Sequence, residues 1–254
     1  MKTNSPSVAE DKMKSVSLYQ LNNAGFVART AESLWLVDAL HDGAKQYGGI
    51  SPEALTLIRR LAVGINEPVK LLVTHLHPDH LSARAVRSFA AEMPLTVYTA
   101  DPKIEEMNLG QAQVALLPLD EHVSVGADRV RAIPLPHLSP QRFNILHTVL
   151  RLDLGRASLF VSGDGLMDGH IFQRHEALIK GVDAAVCLYS YAFTRHNLAF
   201  TKQYIDPKIL VVNHFPAPER DEYDSINRFR AFSAKNNEGM RIIPFAQVGD
   251  RLDV

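Results

Sequence analysis

The stretch KLLVTHLHPDHLSARAV, residues 70–86, places three histidines and an aspartate within six positions, directly after an aliphatic run. The aliphatic run is typical of a strand buried on both faces of a sheet. Ser82 is a suitable N-cap for a helix that follows. Because Pro78 disfavours helix at His77, we expect the histidines on a turn between the strand and that helix.

The polar residues of this turn are of the types that bind divalent metals. His75 and His77 are two positions apart, so their side chains project the same way from an extended backbone. Asp79 and His80 follow as the chain turns toward the helix. Since neutral imidazoles and carboxylates suit zinc or iron, we interpret the turn as part of a metal site rather than a solvated loop.

Composition and charge exclude several classes of protein. Lysine plus arginine number 27 and aspartate plus glutamate 28, without a basic stripe, so no nucleic-acid partner is indicated. Cys187 is the only cysteine, which excludes an intrachain disulfide. No apolar run approaches the about 20 residues of a membrane span. Residues 1–15 are polar, and we expect a flexible leader and a cytoplasmic protein.

The order of predicted elements favours two sheets in one domain over residues 16–254. Short strands of antiparallel character are expected between 16 and 39, and Ser51 and Pro52 begin a helix that Gly64 ends. Strands and helices then alternate, with a strand predicted over 145–154 and a long helix over 219–235. That order indicates two sheets between helices, not one parallel sheet.

The His-x-His-x-Asp-His pattern at 75–80 resembles the signature of the metallo-β-lactamase-fold metallohydrolases. This resemblance covers residues 16–246. It implies an α+β fold, a four-layer αββα sandwich of two mixed β-sheets flanked by helices. The family's metal site lies at one edge of the two sheets, and its further ligands follow strands.

Three later segments match the remaining ligand positions of that family. PLPHLSP supplies His137, SLFVSGDG supplies Asp164 as the bridging carboxylate, and KILVVNHFPAP supplies His214. His147, in NILHTVLRL, competes with His137 for the third histidine position. Its place inside a predicted strand favours a supporting role near the site, but the sequence leaves the choice open.

The resemblance therefore implies two metal ions and a set of supporting residues. The expected ligands are His75, His77 and His137 for one metal, Asp79, His80 and His214 for the other, and Asp164 between them. Asp79 is also expected to orient the attacking water, and Asp38 to anchor the metal loop by hydrogen bonds. Residues of the segment SYAFTRHN are expected to contact substrate: Tyr191, Arg195 and His196.

The function implied is a dinuclear metal-dependent hydrolase. Two divalent cations, zinc first and manganese or iron as alternatives, lie about 3.5–4 Å apart in such sites and create a bridging hydroxide. Their excess positive charge suits an anionic small molecule. We expect a small ester, a phosphodiester or a lactone. Asp164 stands where zinc β-lactamases carry Cys or Ser, so antibiotic hydrolysis is not expected.

Two alternatives remain at the level of sequence. One is a mononuclear iron enzyme related to sulfur dioxygenases, which would use fewer of the ligands. The other is a binding protein that keeps a metal only for its structure. Either could form an oligomer, as could the hydrolase.

Overall fold

A computed structural model describes residues 16–44, 47–139 and 144–254. The predicted leader, residues 1–15, lies outside this range. In chain order, the strands of the described residues are β1 (Ser17–Gln20), β2 (Phe26–Arg29), β3 (Leu34–Val37), β4 (Gly43–Ala44), β5 (Tyr47–Gly48), β6 (Val69–Leu72), β7 (Leu95–Thr99), β8 (Gln113–Leu116), β9 (His122–Val125), β10 (Asp128–Pro134), β11 (Thr148–Leu154), β12 (Ala157–Val161), β13 (Ala184–Leu188), β14 (Ile209–Asn213), β15 (Arg241–Pro244) and β16 (Arg251–Asp253).

Short helices connect these strands. The α-helices are α1 (Pro52–Ala62), α2 (Ala83–Ala90), α3 (Gly169–Arg174), α4 (Glu176–Ile179), α5 (Arg195–Tyr204) and α6 (Ser225–Ser233). The 3₁₀ helices are Pro102–Glu106, Tyr189–Tyr191 and Pro218–Arg220. Among the described residues, no helix has the length and apolar character needed to cross a membrane.

Two seven-stranded sheets share one plan. The spatial order is β16-β1-β2-β3-β6-β7-β8 in the first and β15-β14-β13-β12-β11-β10-β9 in the second. In the first sheet the strands from β16 to β3 are antiparallel and those from β3 to β8 are parallel. The second sheet is antiparallel from β9 to β12 and parallel from β12 to β15.

The sheets pack face to face, with helices on both outer surfaces. Trp35, Leu150 and Val186 belong to the apolar layer between the sheets. On the outer face of the first sheet, α1 and α2 bury one side of each helix, including Ile58 and Val86. Helices α3 to α6 cover the second sheet. The predicted four-layer αββα sandwich is confirmed.

Helix caps form where the sequence places them. The Ser51 hydroxyl accepts a hydrogen bond from the Ala54 amide (3.1 Å), and Pro52 occupies the first turn, where its missing N–H leaves no carbonyl unpaired. The Ser82 hydroxyl accepts from the Ala85 amide (3.4 Å) at the start of α2. This second cap fixes the point at which the chain leaves the 75–80 turn.

Two predicted boundaries are wrong. Strand β11 begins at Thr148 and not at residue 145, because its pairing with β10 ends at the Pro134–Thr148 pair, followed by a bond from the Leu135 amide to the His147 carbonyl (3.1 Å). The long helix predicted over 219–235 is only α6, preceded by a 3₁₀ turn. Asp224 has a left-handed backbone with φ of +50°, which a continuous helix does not tolerate.

Candidate metal centre

Four loops that follow strands meet at one edge of the sandwich. They come after β6, β10, β12 and β14, and they carry the 75–80 turn, His137, Asp164 and His214. Parallel strands end at the same edge of a sheet, which is where α/β proteins place their ligand sites. The shared plan of the two sheets therefore brings side chains far apart in sequence to one place.

At this edge seven side chains form two groups of metal-binding type. Within each group, every residue offers one ligand atom, and these atoms lie within 4.8 Å of one another. The first group is His75, His77, His137 and Asp164, and the second is Asp79, His80 and His214. All are buried except Asp164, which is partly exposed.

The carboxylate of Asp164 faces both groups, one oxygen toward each. Its Oδ2 lies 3.4 Å from His137 Nε2 and 4.0 Å from His75 Nε2. Its Oδ1 lies 3.3 Å from His214 Nε2 and 3.5 Å from His80 Nε2. This is the arrangement in which a single carboxylate can bridge two cations.

The donor atoms converge, and only some of them satisfy one another by hydrogen bonds. His75 Nε2 lies 2.7 Å from His77 Nδ1, and His214 Nε2 lies 3.9 Å from Asp79 Oδ2. His137 Nε2 and Asp164 Oδ1 are buried and make no hydrogen bond of regular geometry with the residues that the structure describes. Such atoms are costly to bury, and a shared cation would compensate them. Nitrogen and oxygen donors of this kind fit zinc, iron or manganese.

Burial and mutual charge prepare these groups to bind cations. Burial, followed by the neighbouring His80, lowers the pKa of His75 well below its ordinary value, and burial also lowers the pKa of His214. Burial alone would raise the pKa of Asp164, but His214 and His80 outweigh it and hold that pKa well below the usual range. At neutral pH these side chains therefore present lone pairs and a negative charge.

His80 differs from His214 and the other imidazoles of the two groups because each of its ring nitrogens lies near a carboxylate, Nδ1 near Asp38 and Nε2 near Asp164. Burial alone would lower the pKa of His80, but Asp38 and Asp164 raise it well above the ordinary value. A cation at this position would replace a proton on His80, so binding there would release that proton.

Asp38 holds the 75–80 turn through contacts with Thr74, which precedes it, and with His80 at its end. Its Oδ1 accepts a hydrogen bond from the Thr74 amide (2.9 Å) and its Oδ2 from the Thr74 hydroxyl (2.7 Å). The same Oδ2 lies 3.0 Å from Nδ1 of His80, which points the Nε2 of that ring at Asp164. Asp38 is buried and has a left-handed backbone with φ of +47°.

Sequence reasoning missed Thr74, which orients the first histidine and joins the two sheets. Because its hydroxyl donates to Asp38, the hydroxyl oxygen accepts a hydrogen bond from the Nδ1–H of His75 (3.0 Å), and the Nε2 of that ring keeps a lone pair. Its carbonyl accepts from the amide (3.0 Å) and hydroxyl (3.1 Å) of Thr148 on the other sheet. The sequence signal that could have identified Thr74 was its position between the buried strand and the first histidine.

The two glycines flanking Asp164 permit close packing of its turn. Gly163 has φ of +47°, and a Cβ there would lie 2.7 Å from His147 Nε2. A Cβ on Gly165 would lie 2.5 Å from Leu135 Cδ2. A larger residue at Gly163 would also be strained by the left-handed backbone, and one at Gly165 would have to displace the end of the Leu135 side chain.

His147 lies beside the site but belongs to neither group. It does not sit in mid-strand, as its sequence suggested, but directly before β11, where its Nδ1 lies 3.0 Å from the Leu135 carbonyl. Burial lowers the pKa of His147 to about 4, so the ring is neutral and donates that Nδ1 proton. The geometry places His137, and not His147, in the first group.

The predicted substrate-contacting residues divide into two kinds. Tyr191 is fully buried, and its hydroxyl donates to the carbonyl of Gly165 (3.0 Å), an arrangement that favours a supporting role; its contact with substrate stays a prediction. Arg195 and His196 are exposed in the first turn of α5. The Arg195 Nε donates to Oδ1 of Asn236 (2.6 Å).

A short hairpin of β4 and β5, which the sequence did not reveal, contacts the last histidine. The Tyr47 ring packs edge-on against the His214 ring, with centroids 4.5 Å apart. The His214 backbone is left-handed, with φ of +65°, and its amide donates to the Asn23 carbonyl (2.6 Å). His41, which precedes the hairpin, is fully buried.

Comparison with known proteins identifies the family of this fold. The family model of the metallo-beta-lactamase superfamily matches residues 20–166, more than half of the chain. A comparison with curated protein sequences gives no significant match.

Several solved structures share the fold at low sequence identity. The metallo-beta-lactamase fold protein YhfI from Bacillus subtilis is 12% identical with a TM-score of 0.66, over 94% of this chain and 100% of its own. The isothiocyanate hydrolase from Delia radicum gut bacteria is 16% identical with a TM-score of 0.67, over 93% and 98%. CmlA, a diiron beta-hydroxylase from Streptomyces venezuelae, is 15% identical with a TM-score of 0.62, over 95% of this chain and 54% of its own.

Proposed function

Because the chain belongs to the metallo-beta-lactamase superfamily, we propose that it is a dinuclear metal-dependent hydrolase of a small ester, a phosphodiester or a lactone. The observation that carries this proposal is the position of the Asp164 carboxylate, whose two oxygens face separate groups of ligand atoms. A site built for one metal would not need a second complete group on the far side of that carboxylate.

The proposed ligands divide as the two groups do. His75, His77 and His137 would hold one cation, Asp79, His80 and His214 the other, and Asp164 both. When bound, two such cations polarise a substrate oxygen and make water acidic enough to attack near neutral pH. The donor set suits zinc, with manganese or iron as alternatives.

Asp79 is the proposed catalytic carboxylate of the second group. Its Oδ2 lies 3.9 Å from His214 Nε2, farther than Asp164 Oδ1 at 3.3 Å and His80 Nε2 at 3.2 Å, so that ring constrains Asp79 less than these two side chains. A carboxylate in this position can accept a hydrogen bond from the attacking water and orient it. Asp38 and His147 would act only by holding the ligands in place.

Charge supports an anionic substrate. The two carboxylates of the site offset only half of the charge of two divalent cations, and the five imidazoles add none when neutral. The remaining positive charge would stabilise a phosphodiester or the oxyanion of a lactone under attack. Exposed Arg195 and His196 would meet the part of the substrate that projects from the site.

The test is metal stoichiometry followed by turnover. Metal-free protein would be reloaded with Zn²⁺, Mn²⁺ or Fe²⁺, measured by mass spectrometry, and assayed on phosphodiesters, lactones and thioesters. We expect two metals per chain and hydrolysis of at least one ester class. His170→Ala, which removes an exposed histidine outside both groups, should behave like the unchanged protein.

Other outcomes of the same experiment would overturn the proposal. One iron per chain with oxygen-dependent thiol oxidation would indicate the mononuclear dioxygenase type. A single non-exchangeable metal without turnover would indicate a structural metal. A cytoplasmic location and an oligomeric state remain predictions that this experiment does not address.

A further inference from the structure

We propose that Tyr191 is a positioning residue for the Asp164 carboxylate and ties helix α5 to the metal centre. The inference rests on the proposed function, because it assumes that Asp164 binds metal. It replaces the direct substrate contact that the sequence suggested for Tyr191.

Tyr191 is hydrogen-bonded to the turn that carries Asp164. Tyr191 is fully buried, and its hydroxyl donates to the carbonyl of Gly165 at 3.0 Å. Burial raises the pKa of Tyr191 well above its ordinary value, so the hydroxyl keeps the proton that it donates. A buried hydroxyl with one bond to a loop carbonyl next to a ligand fixes the position of that loop.

Tyr191 and its neighbour Ser190 are in turn anchored by hydrogen bonds from helix α5. Its own carbonyl accepts a hydrogen bond from the hydroxyl of Thr201 (2.9 Å), which is fully buried in α5. The Asn197 side chain donates to the neighbouring Ser190 carbonyl. Two bonds from α5 therefore hold the 3₁₀ turn at 189–191, and the Tyr191 ring extends that restraint to Gly165.

On its opposite side, the Asp164 turn is held by hydrogen bonds to the His137 segment. The Leu138 amide donates to the Asp164 carbonyl (2.7 Å), and the Leu166 amide donates to the Pro136 carbonyl (2.8 Å). These bonds fix the turn against the His137 segment. Tyr191 fixes it from the side of α5, so the turn is held between two supports.

Position matters here because one carboxylate serves two groups. Asp164 oxygens lie 3.4 Å from His137 Nε2 and 3.3 Å from His214 Nε2. Functional side chains must be held to within about 0.5 Å of their working geometry. A rotation of the turn that improved one contact would lengthen the other, so we expect loss of Tyr191's bond to weaken both metals together.

The test compares Tyr191→Phe with a matched control, Tyr98→Phe. Tyr98 lies in the sandwich against Trp35, with ring centroids 5.5 Å apart, and belongs to neither ligand group. Metal affinity would be measured by competition with a chelator, and site geometry by the absorption spectrum of the Co²⁺-loaded protein. We expect Tyr191→Phe to weaken both metals by about 10-fold and to change the spectrum, and Tyr98→Phe to do neither.

A second variant keeps the proposal testable if Tyr191→Phe does not fold. Thr201→Val preserves side-chain shape and removes the bond to the Tyr191 carbonyl, and we expect a smaller weakening of both metals in the same direction. The inference would be overturned if Tyr191→Phe kept wild-type metal affinities and spectra and showed no more than a lowered melting temperature. If Tyr191→Phe does not fold, the same result in Thr201→Val would overturn it. If the unchanged protein fails to bind two metals, the proposed function fails instead, which is a different result.

Discussion

Strand β6 leads from one buried polar cluster to another, and the two are constructed differently. Near its start lies the Lys70 cluster, which consists of the buried Trp35, Lys70 and Asp128 and of the exposed Glu67. After its end lies the metal edge, with the two groups described above. Both clusters place charged or titratable side chains inside an apolar sandwich, where polar atoms without partners are costly.

The Lys70 cluster satisfies its own atoms. The Trp35 indole donates to Asp128 Oδ2 at 2.8 Å, and the Lys70 ammonium pairs with Glu67 and lies 4.0 Å from the same Asp128 oxygen. Within the described part of the chain, no side chain of this cluster has a buried atom without a hydrogen bond, whereas His137, Asp164 and others at the metal edge do. The difference indicates a structural role for the first cluster and a ligand for the second.

The largest expected effect comes from Asp164→Asn. The amide keeps the shape of the side chain but removes the charge that both cations would share, so both should bind more weakly. We expect kcat/KM to fall by about 1,000-fold or more, since metal catalysis supplies several kcal/mol. Metal content and steady-state kinetics check this. Full metal content with unchanged turnover would break the comparison between the clusters.

The matched change in the other cluster is Asp128→Asn. It leaves the Trp35 indole and the Lys70 ammonium with a weaker partner in a buried place. We expect about 2–3 kcal/mol of lost stability and unchanged metal content per folded chain. Urea unfolding beside metal analysis measures both. A variant that lost metal without losing stability would mean that the roles of the clusters are not separate.

Acid should destabilise the metal edge of metal-free protein through His41. Burial, followed by the nearby His80 and His214, lowers the pKa of His41 from 6.5 to about 3. Between those values the unfolded chain binds a proton that the folded chain does not, so stability falls as the pH drops. Between about pH 7 and 5, the free energy of unfolding of His41→Gln should fall by about 2 kcal/mol less than that of the unchanged protein.

Urea unfolding at both pH values, with a chelator present, measures that slope. His170→Gln is the control, because His170 is exposed and should leave the slope unchanged. Equal slopes in all three proteins would show that His41 is not held neutral by the fold.

The smallest expected effect is that of Arg195→Ala. The guanidinium is exposed and already donates to Asn236, and exposed charges contribute about 1 kcal/mol at most. We expect KM for an anionic ester to rise less than about fivefold with kcat unchanged. Kinetics on an anionic and a neutral ester of the same size measure this. A large fall in kcat would place Arg195 at the reacting atoms.

Local signals predicted much of the fold and of the candidate ligand set. The buried-strand pattern before His75, the caps at Ser51 and Ser82, and the strands that precede Asp164 and His214 are properties of short segments. They depend on periodicity and on backbone preferences, which neighbouring residues determine. Together with the resemblance carried by the 75–80 pattern, they were sufficient to predict the four-layer sandwich.

Contacts between distant segments decided the rest. Whether His137 or His147 joins the first group depends on where β11 begins, and that depends on its pairing with β10. The burial of Tyr191 brings its hydroxyl to the carbonyl of Gly165, 26 positions away, a contact that no local pattern predicts. The Lys70 cluster gave no sequence signal, since Trp35, Lys70 and Asp128 lie on three strands that meet only in the folded sheets. Local sequence determines which segments are strands and turns, whereas the direction that a polar side chain faces is determined by pairing across the sandwich.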